Sequence, residues 1–93
     1  MDTKMIDPQL HILRSVARTL DPRKTQEAET ARFNVFAKAQ EGRVTEALEW
    51  LEALDVALNT TEYPLEEPTK SSVEKAISRI RLILKQAETR IGS

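Results

Sequence analysis

The chain has 93 residues, a net charge of −1 and no cysteine. A chain of this length forms one small domain, and without cysteine it has no disulfide, no zinc–thiolate or iron–sulfur site and no thiol nucleophile. The sequence has only two glycines. This argues against phosphate-binding loops and against a sheet rich in tight turns, because both need glycine where the backbone bends or approaches a ligand.

The first predicted helix covers residues 8–20. Asp7-Pro8 is typical of a helix start, because aspartate accepts hydrogen bonds from the first N–H groups and proline at the first helical position loses none. Apolar residues then recur in steps of four and three, and they are Ile6, Leu10, Leu13, Ala17 and Leu20. This seam predicts one buried helix face.

The second predicted helix covers residues 22–41. It begins at a second Asp-Pro dipeptide, Asp21-Pro22, and its polar first half is predicted to be exposed. The buried part is predicted to come from the second half, from Phe33, Val35, Phe36 and Ala37.

Gly42 poses a choice between a break and a continuous helix. Glycine is the usual residue just after a helix C-terminus, yet helical spacing resumes immediately and continues to residue 59. One uninterrupted helix over 22–59 would be about 57 Å long. A compact domain of this size has a radius of gyration of only roughly 12 Å. We therefore favour a break and predict a third helix over 44–59.

Residues 60–70 contain two prolines and no helical period, which predicts a linker. Ser71 and Glu74 then match a capping box, in which each side chain bonds a backbone N–H group of the first turn. Apolar residues recur at helical spacing after them, so a fourth helix is predicted over 71–91.

These segments predict an all-α fold, a small bundle of three or four antiparallel helices in one domain over 1–93. The stretch GRVTEALEWLEAL, residues 42–54, resembles the second helix of a tetratricopeptide repeat. The preceding helix departs from that pattern, because Ala31, Val35 and Lys38 stand where Trp, Gly and Tyr are typical. We therefore predict no repeat protein.

Charge is segregated along the chain. Residues 1–40 carry seven basic and five acidic side chains, residues 41–67 carry one basic and eight acidic, and residues 68–93 carry six basic and two acidic. Charges that flank an apolar seam select helix partners. The basic fourth helix is therefore predicted to pair with the acidic third helix, within the chain or in a second copy.

Few residues suggest chemistry. His11 is the only histidine, so an ordinary imidazole metal site is not expected, and we interpret it as a partly exposed boundary residue. Four carboxylates step by three along the third helix, at Glu46, Glu49, Glu52 and Asp55. Charges at this spacing are typical of a solvated or partner-facing surface. We predict no catalytic residue, no metal, no cofactor and no small-molecule substrate.

Trp50 has two interpretations. Tryptophan fills positions at the rim of a core, and it also anchors protein interfaces. The best functional prediction is a non-enzymatic helical protein–protein interaction module, such as an assembly factor, chaperone or regulator, that binds a protein partner or itself. The predicted partner-binding residues are Glu49, Trp50, Asp55, Arg81 and Lys85.

The alternative prediction is a small nucleic-acid-binding regulator that uses the basic fourth helix. No aromatic residue is interleaved with its cations, and the net charge is slightly acidic, so this alternative ranks second. The N-terminal stretch MDTKMIDPQL lacks the apolar core of a signal peptide, and no run is apolar enough to span a membrane. We therefore expect a soluble, cytoplasmic protein without a membrane role.

Overall fold

The computed structural model describes residues 3–59 and 65–92, and over these residues all regular structure is helical. A short 3₁₀ helix, Thr3–Met5, precedes four α-helices, which are α1 (Asp7–Ala17), α2 (Pro22–Gln40), α3 (Val44–Asn59) and α4 (Thr69–Gly92). The predicted all-α bundle is confirmed. The radius of gyration is 12.8 Å, close to the value expected for a compact chain of this length.

The four helices pack in a closed order. The most extensive contact joins α2 and α3, while α4 packs against both α3 and α1, and α1 also packs against α2. The α3–α4 pair is antiparallel, because Thr45 contacts Glu88 at 2.9 Å and Glu52 contacts Arg81 at 2.6 Å, so one helix ascends as the other descends. Short connections reverse the chain between α1 and α2 and between α2 and α3.

All four helices contribute to the core. The largest fully buried side chains are Ile6, Leu13, Val35, Leu51, Leu54, Leu58, Val73, Ile80 and Leu84. The buried residues of each helix recur in steps of about three and four, as Ala28, Ala31, Val35 and Ala39 do in α2, so each helix buries one face. The seam predicted for the first helix is buried from Ile6 to Ala17, and Leu20 is half-buried at its end.

Gly42 breaks the central helix, as favoured from the sequence. Its φ is +80°, in the left-handed region where glycine has no steric cost. The N–H of Gly42 donates to the carbonyl of Ala39 at 3.1 Å, and the N–H of Arg43 donates to that of Lys38 at 2.8 Å. These bonds form a Schellman motif, which satisfies the last carbonyls of α2 and reverses the chain into α3.

The predicted cap at Asp7 is wrong, whereas the one at Asp21 is confirmed. The 3₁₀ turn runs directly into α1, so Ile6 occupies the cap position and Asp7 lies inside the first turn without capping it. Asp21 is extended, and its Oδ1 accepts from the N–H groups of Arg23 and Lys24, both at 3.1 Å. Proline at position 22 favours that extended conformation.

Helix α1 ends at Ala17, three residues before the predicted end. The N–H of Thr19 and that of Leu20 each bond a carbonyl three residues back, which tightens the chain into a turn. The hydroxyl of Thr25 then donates to the carbonyls of Ala17, at 2.7 Å, and Leu20, at 3.2 Å. This side chain ties the end of α1 to the start of α2.

The capping box predicted at Ser71 and Glu74 is also wrong. Helix α4 begins at Thr69, so Ser71 lies within its first turn, where its hydroxyl donates to the carboxylate of Glu67. The last two residues of the predicted linker are therefore helical. Residues 65–68 precede α4 without forming a helix, and the predicted linker residues 60–64 lie outside the described part of the chain.

Helix α2 buries Val35 as predicted, whereas Phe33 is exposed and Phe36 and Ala37 are half-buried. Phe33 is 61% exposed, because it stands about 200° around the helix from the fully buried Val35. The polar first half is not wholly exposed, since it buries Ala28 and Ala31. These small side chains permit α2 and α3 to approach closely, so this half of α2 joins the core through alanine.

Candidate functional site

A groove of about 750 Å³ runs along the outside of the bundle between α2 and α3. It joins the first half of α2 to the second half of α3, and we call it the α2–α3 groove. It is lined from α2 by Arg23, Lys24, Gln26, Glu27, Thr30 and Ala31, and from α3 by Trp50, Glu52, Ala53, Val56 and Ala57. All of these residues lie within helices, so the groove is built on regular backbone.

The apolar part of the groove consists of small side chains beside one large one. Ala31 and Ala57 are buried at its base, whereas Ala53 and Val56 are exposed. Trp50 is half-buried and packs against the core while lining the groove. Because alanine ends at Cβ, the two helices leave a depression here that longer side chains would fill. The base is therefore set by alanine, and Trp50 borders it.

The rim is charged, and most of its charges are already paired. Lys24 contacts Glu27 at 3.3 Å, and Glu52 accepts from Arg81 of α4. Arg23 is exposed and makes no ion pair with any residue in 3–59 or 65–92. Asp21 caps the start of α2, and the first helical turn that follows it contains Arg23 and Lys24 but no acidic residue.

Among the five predicted partner-binding residues, Trp50 and Asp55 lie on different sides of α3. Trp50 lines the α2–α3 groove, whereas Asp55 faces Arg81 on the α4 side of α3, at 3.7 Å. Glu49 and Lys85 are exposed, and their side chains make no ion pair within the described ranges. The role of all five residues in partner binding stays a prediction. Trp50 is the one of them that lines the α2–α3 groove.

The basic and acidic helices pair within one chain. The Nη2 and Nε atoms of Arg81 donate to Oε1 of Glu52, at 2.6 and 3.1 Å. Asp55 lies beside the same guanidinium, so one cation bridges two of the four carboxylates along α3. Glu52 also lines the α2–α3 groove, so this cluster forms one side of the groove's rim.

The α2 half of the groove was not predicted from the sequence. Arg23 and Thr30 looked like ordinary exposed polar residues, and the exposed Val56 stands outside the apolar seam of α3. A signal was present in Ala28 and Ala31, which recur at helical spacing in an otherwise polar segment. It indicates close helix contact, but it does not tell which helix makes that contact.

A second, smaller cleft of about 360 Å³ lies between α1 and α2. It contains His11, which is exposed as a boundary residue would be, together with the exposed Phe33 and the half-buried Phe36. Among the residues whose positions are described, no three histidine or carboxylate side chains are grouped so that they could hold a metal ion. None of the described helices is both long and apolar enough to cross a membrane.

No protein-family model matches the chain, and neither a curated protein nor a solved structure matches it.

Proposed function

We propose that the chain is a non-enzymatic interaction module that binds a protein partner, or a second copy of itself, through the α2–α3 groove. The observation that carries the proposal is the exposed apolar surface of Ala53 and Val56 beside a half-buried tryptophan, Trp50. A desolvated aromatic anchor surrounded by polar side chains is typical of protein-binding surfaces. A small assembly factor, chaperone or regulator would use such a surface. A cytoplasmic location remains part of this proposal.

Ala53 offers the most direct test of the groove. Its exposed position in the middle of α3 accepts arginine without a loss of helix propensity, and the long charged side chain would cover the apolar base. Ser78→Arg is the matched control, since it adds the same charge at an exposed position on α4, away from the groove. Trp50→Ala is less informative, because Trp50 also packs against the core.

The experiment is affinity capture of the tagged chain from its native lysate, with and without nuclease. We expect a stoichiometric protein partner that survives nuclease, is lost with Ala53→Arg and is retained with Ser78→Arg. Circular dichroism should give the same helix content for all three proteins. A partner that binds Ala53→Arg as well as the original chain would show that the groove is not the contact surface.

The nucleic-acid alternative receives less support. The charge of Arg81 is offset by Glu52 and Asp55 within the chain. Lys75 and Arg79 are exposed on α4, but no aromatic side chain stands among the α4 cations to stack on bases. A salt series separates the two functions, because binding through phosphate contacts weakens steeply as ionic strength rises. Capture that disappears with nuclease would favour the alternative.

A further inference from the structure

We propose that the α2–α3 groove accepts an amphipathic α-helix of a partner protein, and that this helix carries an acidic side chain at the end that lies beside Arg23. This inference rests on the proposed function, because it names the occupant of the same groove.

The backbone of the groove favours a helix over an extended segment. Both walls are helical, so their backbone groups are bonded within α2 and α3. Even the N–H groups of Arg23 and Lys24, at the open start of α2, are bonded to Asp21. An extended segment would find no backbone partners here. A helix satisfies its own backbone and needs only side-chain contacts, as in helix-in-groove recognition.

The length of the groove fits about two turns of helix. From Arg23 to Ala31, α2 rises about 12 Å. Apolar side chains at positions i, i+3 or i+4, and i+7 of a partner helix span about 10.5 Å. Three such anchors therefore match the apolar surface that Trp50, Ala53 and Ala57 provide at steps of three and four along α3.

The two ends of the groove differ in charge, and this difference sets the position of the acidic side chain. Trp50 and Ala31 line one end together with Glu52, whose charge is offset by Arg81. Arg23 and Lys24 stand at the other end, and Glu27 offsets only Lys24. Asp21 caps the start of α2, but the guanidinium of Arg23 makes no ion pair with any residue in 3–59 or 65–92, so a partner carboxylate would complement its charge.

The test uses a displayed library of amphipathic helices with three apolar positions at i, i+4 and i+7. The terminal positions vary among Asp, Glu, Gln, Lys and Arg, and the full chain is the bait. The best helix, as a synthetic peptide, is then titrated into the chain. Binding is measured by the fluorescence of Trp50, the only tryptophan. We expect acidic residues to be enriched at one end of the selected helices.

Charge reversal then tests whether Arg23 binds the acidic end of the helix. Arg23→Glu should weaken binding of the acidic peptide about fivefold to tenfold, the range for an exposed ion pair turned into a repulsion, and should improve binding of a lysine-ended peptide. Arg79→Glu makes the same charge change on α4 and should leave both affinities unchanged. The inference would be overturned if Ala53→Arg abolished binding of the selected helices while Arg23→Glu left their affinity unchanged. The proposed function would remain intact in that case.

Two other outcomes would also overturn the inference. One is a library that yields no helix sensitive to Ala53→Arg, while a captured protein still needs Ala53; the occupant would then not be a helix. The other is concentration-dependent dimerisation in sedimentation that Ala53→Arg abolishes, which would make a second copy the occupant. If Ala53→Arg left binding unchanged in both the library and the capture experiment, the proposed function would be wrong as well.

Discussion

Replacing Gly42 with alanine tests the turn that creates the α2–α3 groove. Gly42 has a φ of +80°, and nothing lies within 4 Å of a Cβ built on it. The substitution therefore causes no clash and changes only the backbone energy. The left-handed conformation costs alanine roughly 1–2 kcal/mol, while its stiffer unfolded chain returns about 0.4–1 kcal/mol. The expected net loss in the free energy of unfolding is about 1 kcal/mol.

The loss is measurable by urea denaturation and by thermal melting, both followed by circular dichroism. In a domain of this size, 1 kcal/mol corresponds to a fall in melting temperature of roughly 4–8 °C. Gly42→Asn provides a graded comparison at the same position. Asparagine visits the left-handed region more readily than alanine, so its loss should be smaller. Binding through the groove should survive both substitutions under conditions where the protein remains folded.

An unchanged or increased stability for Gly42→Ala would refute this reasoning. It would mean that residue 42 is not held in the left-handed conformation, and the continuous helix over 22–59 would again be viable. Sedimentation would then reveal an elongated species or a swapped dimer. A loss far above 2 kcal/mol would show instead that the added methyl group meets a neighbour.

Two further predictions concern the packing of α4 and α1. Arg81→Met removes the contact with Glu52 and should lower the free energy of unfolding by about 0.5–1 kcal/mol, because the pair is partly exposed. Arg79→Met should have little effect on the free energy of unfolding. If urea denaturation gave equal losses for Arg79→Met and Arg81→Met, the Arg81–Glu52 ion pair would not be the cause. Gln9 has a buried Oε1 with no hydrogen-bond partner among the described residues, so Gln9→Leu should raise the free energy of unfolding by about 1 kcal/mol. Gln86→Leu, at an exposed position, should leave the free energy of unfolding unchanged. A lower melting temperature for Gln9→Leu would show that the Gln9 amide does have a hydrogen-bond partner.

The errors made from sequence have local physical causes. Asp7 and Asp21 both precede a proline, yet only Asp21 caps a helix. A 3₁₀ turn already leads into α1, so Asp7 is drawn inside the helix. The Ser71 motif failed for a similar reason, since α4 begins two residues earlier. A motif of four residues does not record whether the preceding residues are already helical.

The sequence by itself determined the helical class and four helices close to their final bounds, and it favoured the break at Gly42 without deciding it. These features depend on local periodicity and on backbone conformation, which short stretches of sequence encode. Only the tertiary structure decided that Arg81 bridges Glu52 and Asp55, and that Trp50 serves both the core and a groove. Ala31 of α2 and Ala57 of α3 both line the groove, and its volume depends on the relative placement of the two helices. Periodicity identifies the buried face of each helix, but it carries no information about which neighbour covers that face or where the contact leaves a gap.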